Sequence, residues 1–379
     1  MTTKPQTSRA IGADTRGMAL LVCLAFIAVL STAGLELGKR VGRSTELASV
    51  LGDRFVVQEM AMAGVHLAMV ILEEDANKNE TDSVQEPWAD PLVIEQAVAA
   101  LGYPSGDITL SIMDELGKIQ VNALLSEFPG NAFNNDQKML WERLLDLIIS
   151  ADKSEDERDP AEIINSLKDW LDSGDDDLET GISGAESAYY QTLEPPYTCT
   201  NAPFDLLDEL FLVKGLSEGL GACEAIPFLE NMDIGMDLML EQNFTVFGMD
   251  DQLVEENRYR FPGTININTA SAMVLMALLP SGMEDQAQEL VEFRAQKQED
   301  EGDFVNSLDK GWYKTVVDLT EKEEKQFERL IRYSSTVFKV ECSAAIGTRT
   351  SDATAIVLRE KDKETNRWIC RIIRLTRDN

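Results

Sequence analysis

Residues 16–35 of this 379-residue chain read RGMALLVCLAFIAVLSTAGL, and this stretch decides the fold. Residues 18–35 carry no charged side chain. As a helix they would be about 27 Å long, close to the hydrocarbon thickness of a bilayer. The sequence therefore predicts a membrane-spanning helix near the N-terminus. A cleaved secretory signal is the simpler alternative, but the apolar run is longer than a usual signal core and no A-x-A pattern follows it.

Charged residues around the apolar run predict its orientation. Three basic residues precede it against one acid, Asp14, so the positive-inside rule puts the N-terminus in the cytoplasm. The long acidic remainder would lie in a periplasm-like compartment. A second group of basic residues follows the run and lessens the difference in charge between its two sides. The basic residues are Lys4, Arg9 and Arg16 before the run and Lys39, Arg40 and Arg43 after it.

The helix is expected to continue far beyond the membrane. No proline occurs between Pro5 and Pro87, and apolar or small residues recur at steps of three, four and seven. One helix over residues 18–72 would span roughly 80 Å, with its inner half in lipid and its outer half packed on a globular head. The positions of this apolar stripe are Ala48, Leu51, Phe55, Met62, Val65, Met69 and Leu72.

Three glycines, Gly34, Gly38 and Gly42, are four residues apart and share one face of the predicted helix. Small residues at this spacing allow a second helix to approach closely in a membrane. Glycine would also let the helix bend where it leaves the bilayer. The sequence leaves both roles open.

Composition excludes several classes of function. With 34 Lys and Arg against 67 Asp and Glu, the formal charge of −33 repels nucleic acid. The single histidine, His66, rules out histidine-based zinc clusters and Ser-His or Cys-His catalytic pairs. Five cysteines without a C-x-x-C motif exclude a zinc ribbon and a thioredoxin-type site. The spacing of the carboxylates singles out no acid and base, so we predict no catalytic residue and no enzymatic activity.

The rest of the chain predicts an α+β head. Residues 107–114 and 118–122 read as two strands around a turn, and three β-branched segments near the C-terminus read as further strands. One antiparallel sheet laid against the long helix, with a large α-helical insertion, accounts for this order. The predicted units are a leader at 1–17, the long helix at 18–75, the first part of the head at 76–125, the insertion at 126–330 and closing strands at 331–379.

The insertion contains a weak internal echo. Residues 119–125 (IQVNALL) resemble residues 265–270 (ININTA), and the second copy opens a helix-hairpin-helix-like unit near 264–310. Such units often bind DNA, so a membrane-anchored DNA-uptake protein is the alternative reading of the whole chain. The hairpin offers a single glycine, Gly282, followed by Glu284 and Asp285, and acids at that point would repel phosphate. We therefore expect a structural or protein-binding helix pair and no nucleic-acid partner.

An acid-rich loop at 172–186 is the candidate metal site. Starting at Asp175, side-chain oxygens fall at positions 1, 3, 5, 9 and 12, the ligand spacing of an EF-hand. Thr180 replaces the glycine that an EF-hand requires at position 6, so we predict an oxygen-lined calcium site of another kind, with a solvated acidic loop as the alternative. The candidate ligands are Asp172, Asp175, Asp177, Glu179, Ser183 and Glu186. Three aromatic residues are expected to form the hydrophobic edge of the loop: Trp170, Tyr189 and Tyr190.

Two cysteines near this loop, Cys199 and Cys223, are candidates for a disulfide in an oxidising compartment. Closing the loop between them would stabilise the fold by about 3 kcal/mol in the chain-entropy model. Cys23 lies in the apolar run and is read as a packing residue. If the strands that hold Cys342 and Cys370 are the first and third of a meander, they are about 9–10 Å apart and cannot pair.

In order along the chain, these features resemble the K class of minor pseudopilins of bacterial type II secretion systems. The resemblance is carried by Arg16-Gly17 and the apolar helix, and by four later segments. These are residues 169–172 (DWLD), 184–190 (GAESAYY), 204–210 (FDLLDEL) and 265–270 (ININTA). The resemblance implies cleavage after Gly17 by a prepilin peptidase, methylation of Met18, a pseudopilin fold with a large α-domain, and calcium bound in that domain.

The resemblance also implies a place in the pseudopilus. Most pilins carry Glu at the fifth mature position, which here is Val22. The K class shares this absence and is placed at the filament tip, above the I and J minor subunits, where it helps to initiate assembly for export across the outer membrane. The implied location is the bacterial inner membrane, crossed once. The implied partners are the I and J minor pseudopilins, the inner-membrane assembly platform, the prepilin peptidase, and the secretin or secreted cargo.

Overall fold

A computed structural model describes residues 15–103, 106–151, 159–174, 180–181, 183–216, 236–250, 258–298 and 302–378. The helices are α1 (Thr15–Ala76), α2 (Pro91–Ala99), α3 (Asn135–Ala151), α4 (Pro160–Leu171), α5 (Ser187–Tyr190), α6 (Met236–Asn243), α7 (Ala272–Leu278), α8 (Gln286–Ala295) and α9 (Glu321–Leu330). The strands are β1 (Asp107–Asp114), β2 (Ile119–Gln120), β3 (Phe244–Thr245), β4 (Ile265–Asn266), β5 (Ile331–Arg332), β6 (Val337–Ile346), β7 (Arg349–Lys361) and β8 (Trp368–Asp378).

Helix α1 is continuous over 62 residues, which confirms the single long helix predicted from the proline-free sequence. Its buried face begins only at Val57 and is not the predicted apolar stripe. Of that stripe, Val65 and Leu72 are buried, but Leu51 and Phe55 are exposed. The reason is steric: Gly64 lies so close to the sheet that a Cβ there would be 2.2 Å from the Cys342 sulfur. Small residues thus determine which face of α1 packs on the sheet. This face comprises Val57, Ala61, Gly64, Val65, Ala68 and Leu72.

The head is a four-stranded antiparallel sheet in the order β1-β6-β7-β8, as the α+β prediction required. Helix α1 packs on one face of all four strands. Val65, Ala68 and Leu72 share one hydrophobic cluster with Phe338 on β6 and with Trp88. The Trp88 ring meets the Phe338 ring edge-on, with 5.4 Å between the centroids.

The prediction that residues 118–122 form the second strand of this sheet is wrong. Strand β1 pairs with β6, from Asp107 opposite Ala345 to Asp114 opposite Phe338. The segment instead contributes β2, which pairs in parallel with β3, and a 3-10 turn, Val121–Leu124. Every residue of this segment is buried, because it runs through the core of the insertion and not along one face of a sheet.

The internal echo is a structural repeat. In both copies a two-residue strand forms a parallel pair, β2 with β3 and β4 with β5. In both, a side-chain oxygen then accepts the backbone N–H two residues on: Gln120 from Asn122 at 2.9 Å, and Asn266 from Asn268 at 3.2 Å. Asn122 and Asn268 are fully buried and donate to backbone carbonyls of distant segments.

Candidate functional site: the acidic loop and the polar junction

The acidic loop is anchored by Asp169, a residue that the spacing argument missed. Asp169 lies in the last turn of α4 and is fully buried. Its carboxylate accepts the backbone N–H of Thr180, at 3.1 and 3.2 Å to the two oxygens, and that of Ala185 at 3.0 Å. Burial raises the pKa of Asp169, against the lowering effect of these donors. A Cβ at Gly184 would lie 2.0 Å from Asp169 Oδ2, so this close approach requires glycine.

Asp172, the first candidate calcium ligand, is fully buried and already has two partners. One of its oxygens accepts from Lys168 Nζ, and the other accepts the Gly174 N–H at 2.8 Å. Lys168 Nζ also donates to Thr180 Oγ1 at 2.8 Å. The ammonium group of Lys168 therefore compensates the charge of Asp172 and ties α4 to the far side of the loop.

The structure places three of the six candidate ligands. Asp172, Ser183 and Glu186 are described, whereas Asp175, Asp177 and Glu179 lie outside the described residues. Glu186 is buried at the start of α5, and the Ser183 carbonyl accepts from Lys214 Nζ at 3.2 Å. Carboxylate and carbonyl oxygens suit calcium. At Asp172, however, a bound cation would have to displace or share the position of the Lys168 ammonium.

An aromatic cluster closes the inner side of the loop. Trp170 and Tyr190 are buried with their rings edge-to-face and 5.1 Å between the centroids, while Tyr189 is partly exposed. The Trp170 carbonyl accepts from the backbone N–H of Asn201 at 3.1 Å, and the Asn201 side chain donates to the Gly174 carbonyl at 2.9 Å. These contacts hold the segment that follows α5 against the start of the loop.

The cysteines have distinct positions. Cys199 is buried beside the loop, with its sulfur 3.6 Å from the Ala185 carbonyl oxygen, and Cys223 lies outside the described residues. Their pairing therefore stays a prediction. Cys342 on β6 is opposite Ala353 of β7, and Cys370 on β8 is opposite Arg359 of β7. A whole strand separates these two cysteines, and both are free thiols.

The predicted membrane and processing residues lie on the exposed part of α1. Gly17, Met18, Val22, Gly34 and Gly38 are all exposed. By length and composition the helix from Gly17 can cross a membrane. Its most apolar stretch is not covered by any described part of the chain. This single apolar helix is consistent with a single-pass membrane anchor.

The helix-hairpin-helix-like unit consists of α7, residues 279–285 and α8. Its one glycine amide is occupied: the Gly282 N–H donates to the Glu284 carboxylate, at 2.8 and 2.9 Å to its two oxygens. A hairpin that binds DNA needs such an amide for a phosphate. The acid therefore holds the position that a phosphate would take.

A buried polar junction joins the long helix, the sheet and the insertion, and sequence reasoning missed it. Arg359 on β7 donates to both oxygens of Asp82 at 2.6 Å and to the Ser335 carbonyl at 2.8 Å. The same guanidinium lies 3.5 Å from Asp75 at the end of α1. Asp82 also accepts, through its backbone carbonyl, from Asn266 and Asn268 of the insertion.

Three carboxylates of the junction, those of Asp75, Asp82 and Glu86, each place an oxygen within 4.8 Å of the others. Arg359 provides the positive charge beside Asp75 and Asp82. Burial raises the pKa of Asp75 to about 6, and burial and then the Asp75 charge raise that of Glu86 to about 8. Glu86 Oε2 accepts from the Ser83 N–H and from Trp88 Nε1, each at 2.8 Å, which opposes this rise.

Comparisons with known proteins find relatives of this chain in the type II secretion system. Residues 117–222 and 265–321 match two family models that are both described as "Type II secretion system (T2SS), protein K". The type II secretion system protein K of Klebsiella pneumoniae is 26% identical over 214 residues, covering 54% of this chain and 59% of that protein. The protein of the same name from Pectobacterium carotovorum is 26% identical over 220 residues, covering 54% of this chain and 60% of that protein. The matched region thus spans about three fifths of each relative.

A solved structure extends the likeness to the whole fold. A chain of the GspK-GspI-GspJ complex from the enterotoxigenic Escherichia coli type 2 secretion system superposes with a TM-score of 0.56 at 16% identity. The superposition covers 88% of this chain and 99% of that one.

A long apolar N-terminal helix packed on an antiparallel sheet, with a large insertion between β1 and β6, is the architecture that this chain shares with that structure. In sequence and in fold, the chain is similar to the type II secretion system protein K family, the K class of minor pseudopilins.

Proposed function

We propose that this protein caps the tip of the type II secretion pseudopilus and helps to initiate its assembly for protein export across the outer membrane. The observation that carries the proposal is Val22, an apolar residue within an uncharged apolar run. A carboxylate at this position would neutralise the terminal amine of a neighbouring subunit inside lipid, where an unpaired charge is costly. A subunit without that carboxylate can join a filament but lacks this contact to a neighbour, which suits a terminal position.

The bulk of the head supports the same position. Residues 115–336 lie between β1 and β6 and contain a large hydrophobic core of their own, built around Trp141, Trp170 and Tyr313. A body of this size attached to a pilin-like helix would crowd the neighbours of a subunit in a shaft. At the tip it meets no subunit above it.

The partners that we propose are the I and J minor pseudopilins, the inner-membrane assembly platform and, at the outer end, the secretin or the secreted cargo. The related complex that contains GspK, GspI and GspJ supports the first of these. On this chain, the apolar side chains of Leu37, Val41, Leu51 and Phe55 are exposed on α1 between the apolar run and Val57, where the buried face begins. They offer a surface for the helices of neighbouring subunits.

Electron microscopy of overproduced pseudopili would test the tip position directly. Gold particles directed to an affinity tag on the C-terminus of this protein should mark filament ends. Particles spaced along the shafts would contradict the proposal. A tagged major subunit, labelled in the same way, provides the control for labelling of shafts.

Processing is proposed to follow the prepilin route, with cleavage after Gly17, methylation of Met18 and the N-terminus facing the cytoplasm. Intact-mass measurement of the membrane-extracted chain should show the loss of residues 1–17 and one added methyl group. A mass that retains the leader, or a cut near residue 35, would contradict this part.

Calcium binding is proposed at the acidic loop, through Asp172, Ser183, Glu186 and the acids at 175, 177 and 179. In calcium the thermal midpoint of the full chain in detergent should be several degrees higher than in chelator. The variant Asp175→Asn/Asp177→Asn should lose this difference, whereas Asp309→Asn, an exposed acid far along the chain, should keep it. An equal midpoint with and without calcium would mean that Lys168 alone compensates the loop.

The DNA-uptake alternative has a direct test. The occupied amide of Gly282 and the acidic charge predict no retention of double-stranded DNA in a gel shift at moderate salt. A shifted band that disappears on substituting residues of α7 or α8 would favour the alternative.

A further inference from the structure

Strand β8 is an open edge of the sheet. It forms one end of the order β1-β6-β7-β8, and among the described residues it pairs only with β7. It is also long, with 11 residues from Trp368 to Asp378. Natural proteins usually cover or interrupt such edges, because their unpaired backbone groups invite another strand.

The register shows which backbone groups of β8 point outward. The Arg359 N–H of β7 donates to the Thr336 carbonyl, away from β8, so its partner Cys370 directs its own N–H to the open side. There the Cys370 N–H donates to the Glu73 carboxylate of α1 at 2.7 Å. By alternation, and across the bulge at Ile373, the backbone groups of Ile372, Leu375 and Arg377 face the same way.

The charge of β8 is opposite to that of the chain. β8 and the residue before it, 367–378, contain four arginines and one acid, Asp378, in a protein of net charge −33. The side chain of Arg371 is 57% exposed. At Cys370 the outward N–H already donates to one carboxylate, that of Glu73. A second copy of β8 would bring arginines against arginines, so charge complementarity selects an acidic partner.

Apolar side chains accompany the arginines. Ile369, Ile373 and Leu375 are each more than a third exposed. Beside Ile373 is a cavity of about 450 Å³ between β8 and the insertion, lined also by Met249, Tyr259 and Phe261. Met249 is half exposed at this cavity. The cavity lies on the face of the sheet that also carries Arg371 and Arg374, so this face is not closed off by the insertion.

A membrane surface is a poor fit for this edge. Arg349, at the start of β7, pairs with Asp53 of α1. Asp53 lies about 27 Å along the helix from Leu35, the last residue of the apolar run. The sheet therefore begins well outside the bilayer, and lipid headgroups cannot pair in register with backbone amides.

We propose that β8 is a docking edge at which an extended segment of another protein, with alternating acidic and apolar residues, adds as a fifth strand. Its backbone pairs with the outward groups of Ile372, Leu375 and Arg377. Its acids lie on the face of the sheet that carries Arg371 and Arg374, and its apolar side chains lie on the opposite face, beside Ile372 and Leu375.

The test uses the full chain in detergent and a fluorescent heptapeptide that alternates Val with Glu or Asp. Anisotropy should show saturable binding that weakens with salt. Leu375→Pro removes one outward N–H and should weaken binding about 5-fold or more, while Leu375→Ala, which keeps it, should stay within about 2-fold. Arg371→Glu/Arg377→Glu should weaken binding about 10-fold, and the exposed control Arg329→Glu should not.

Hydrogen exchange keeps the result interpretable if the proline variant perturbs the strand. In the wild-type chain, the peptide should slow exchange of the Ile372, Leu375 and Arg377 amides. Four outcomes would overturn the proposal. The first three are no binding at 1 mM peptide, equal binding of a peptide with the same residues in two blocks, and binding unchanged in both the double arginine variant and the proline variant. Tighter binding of an oligonucleotide at the same arginines would also overturn it.

Discussion

The junction at Arg359 allows a sharp quantitative prediction. Arg359 and Asp82 are only 4% and 2% exposed, and the guanidinium donates to both carboxylate oxygens of Asp82. In Arg359→Met the apolar stem is kept, but Asp82 and Asp75 are left buried without their cation. Breaking one partner out of a buried ion pair costs about 3–5 kcal/mol. We expect the free energy of unfolding to fall by that amount.

The matched control is Arg371→Met on the neighbouring strand. Arg371 lies 3.4 Å from Glu360, and the two side chains are 57% and 40% exposed. Exposed pairs of this kind contribute about 0–1 kcal/mol. Urea unfolding of the full chain in detergent, followed by far-ultraviolet circular dichroism, would give both values from the shift of the midpoint at constant slope.

A third variant separates the charge from the packing. In Asp82→Asn/Arg359→Met the uncompensated carboxylate of Asp82 is gone. The loss of unfolding free energy should therefore be smaller than the sum of the losses measured in Asp82→Asn and in Arg359→Met. If Arg359→Met destabilised the chain no more than Arg371→Met, the buried junction would not be held by charge, and the reasoning would be refuted.

Three further predictions concern the junction, the loop and the cysteines. The pKa of Glu86 in the folded chain, about 8, is above its ordinary value. The contribution of Glu86 to the free energy of unfolding is therefore complete below about pH 4 and is lost as the pH rises through 8. Unfolding free energy should therefore fall between pH 5 and 8, by about 1–3 kcal/mol more in the wild type than in Glu86→Gln, as pH-dependent urea unfolding would show. Gly184→Ala should cost about 1–3 kcal/mol by the same assay, because the new Cβ meets Asp169, whereas Gly52→Ala on the open face of α1 should cost nothing; equal effects would contradict the anchoring role of Asp169. If Cys199 and Cys223 form a disulfide in the periplasm, peptide mapping without reductant should recover them as one linked peptide, and Cys199→Ser should lower stability by about 3 kcal/mol; two separate alkylated peptides would exclude the pair.

The features predictable from sequence are those set by local patterns. An uncharged apolar run without proline is sufficient to predict α1. β-Branched segments between polar turns are sufficient to predict β6, β7 and β8. Even so, the buried face of α1 was misplaced, because small residues such as Gly64 and Ala68 carry little hydrophobic signal but permit the sheet to come close.

The remaining features depend on contacts between distant parts of the chain. Arg359 and Asp82 are 277 residues apart, and neither belongs to a motif. Asp169 binds backbone amides of the loop, so a search for regularly spaced acids passes over it. The segment at 118–122 has strand composition, but its partner is Phe244-Thr245 and not the neighbouring β1. In both copies of the internal echo, a glutamine or an asparagine stands two residues before a buried asparagine: Gln120 before Asn122, and Asn266 before Asn268. This repeated pattern was the one sequence signal that these segments run through the core.

The register between β1 and β6 makes the architecture modular. Asp114, where the chain leaves the sheet, is the direct partner of Phe338, just after it returns. Antiparallel partners have Cα atoms about 5 Å apart, so the two ends of the intervening body are adjacent. That body could therefore grow, shrink or be exchanged during evolution without moving a strand, and a turn of a few residues would suffice to close the hairpin in its place. A slender filament subunit can in this way become a large one by a single insertion at one point of its sheet.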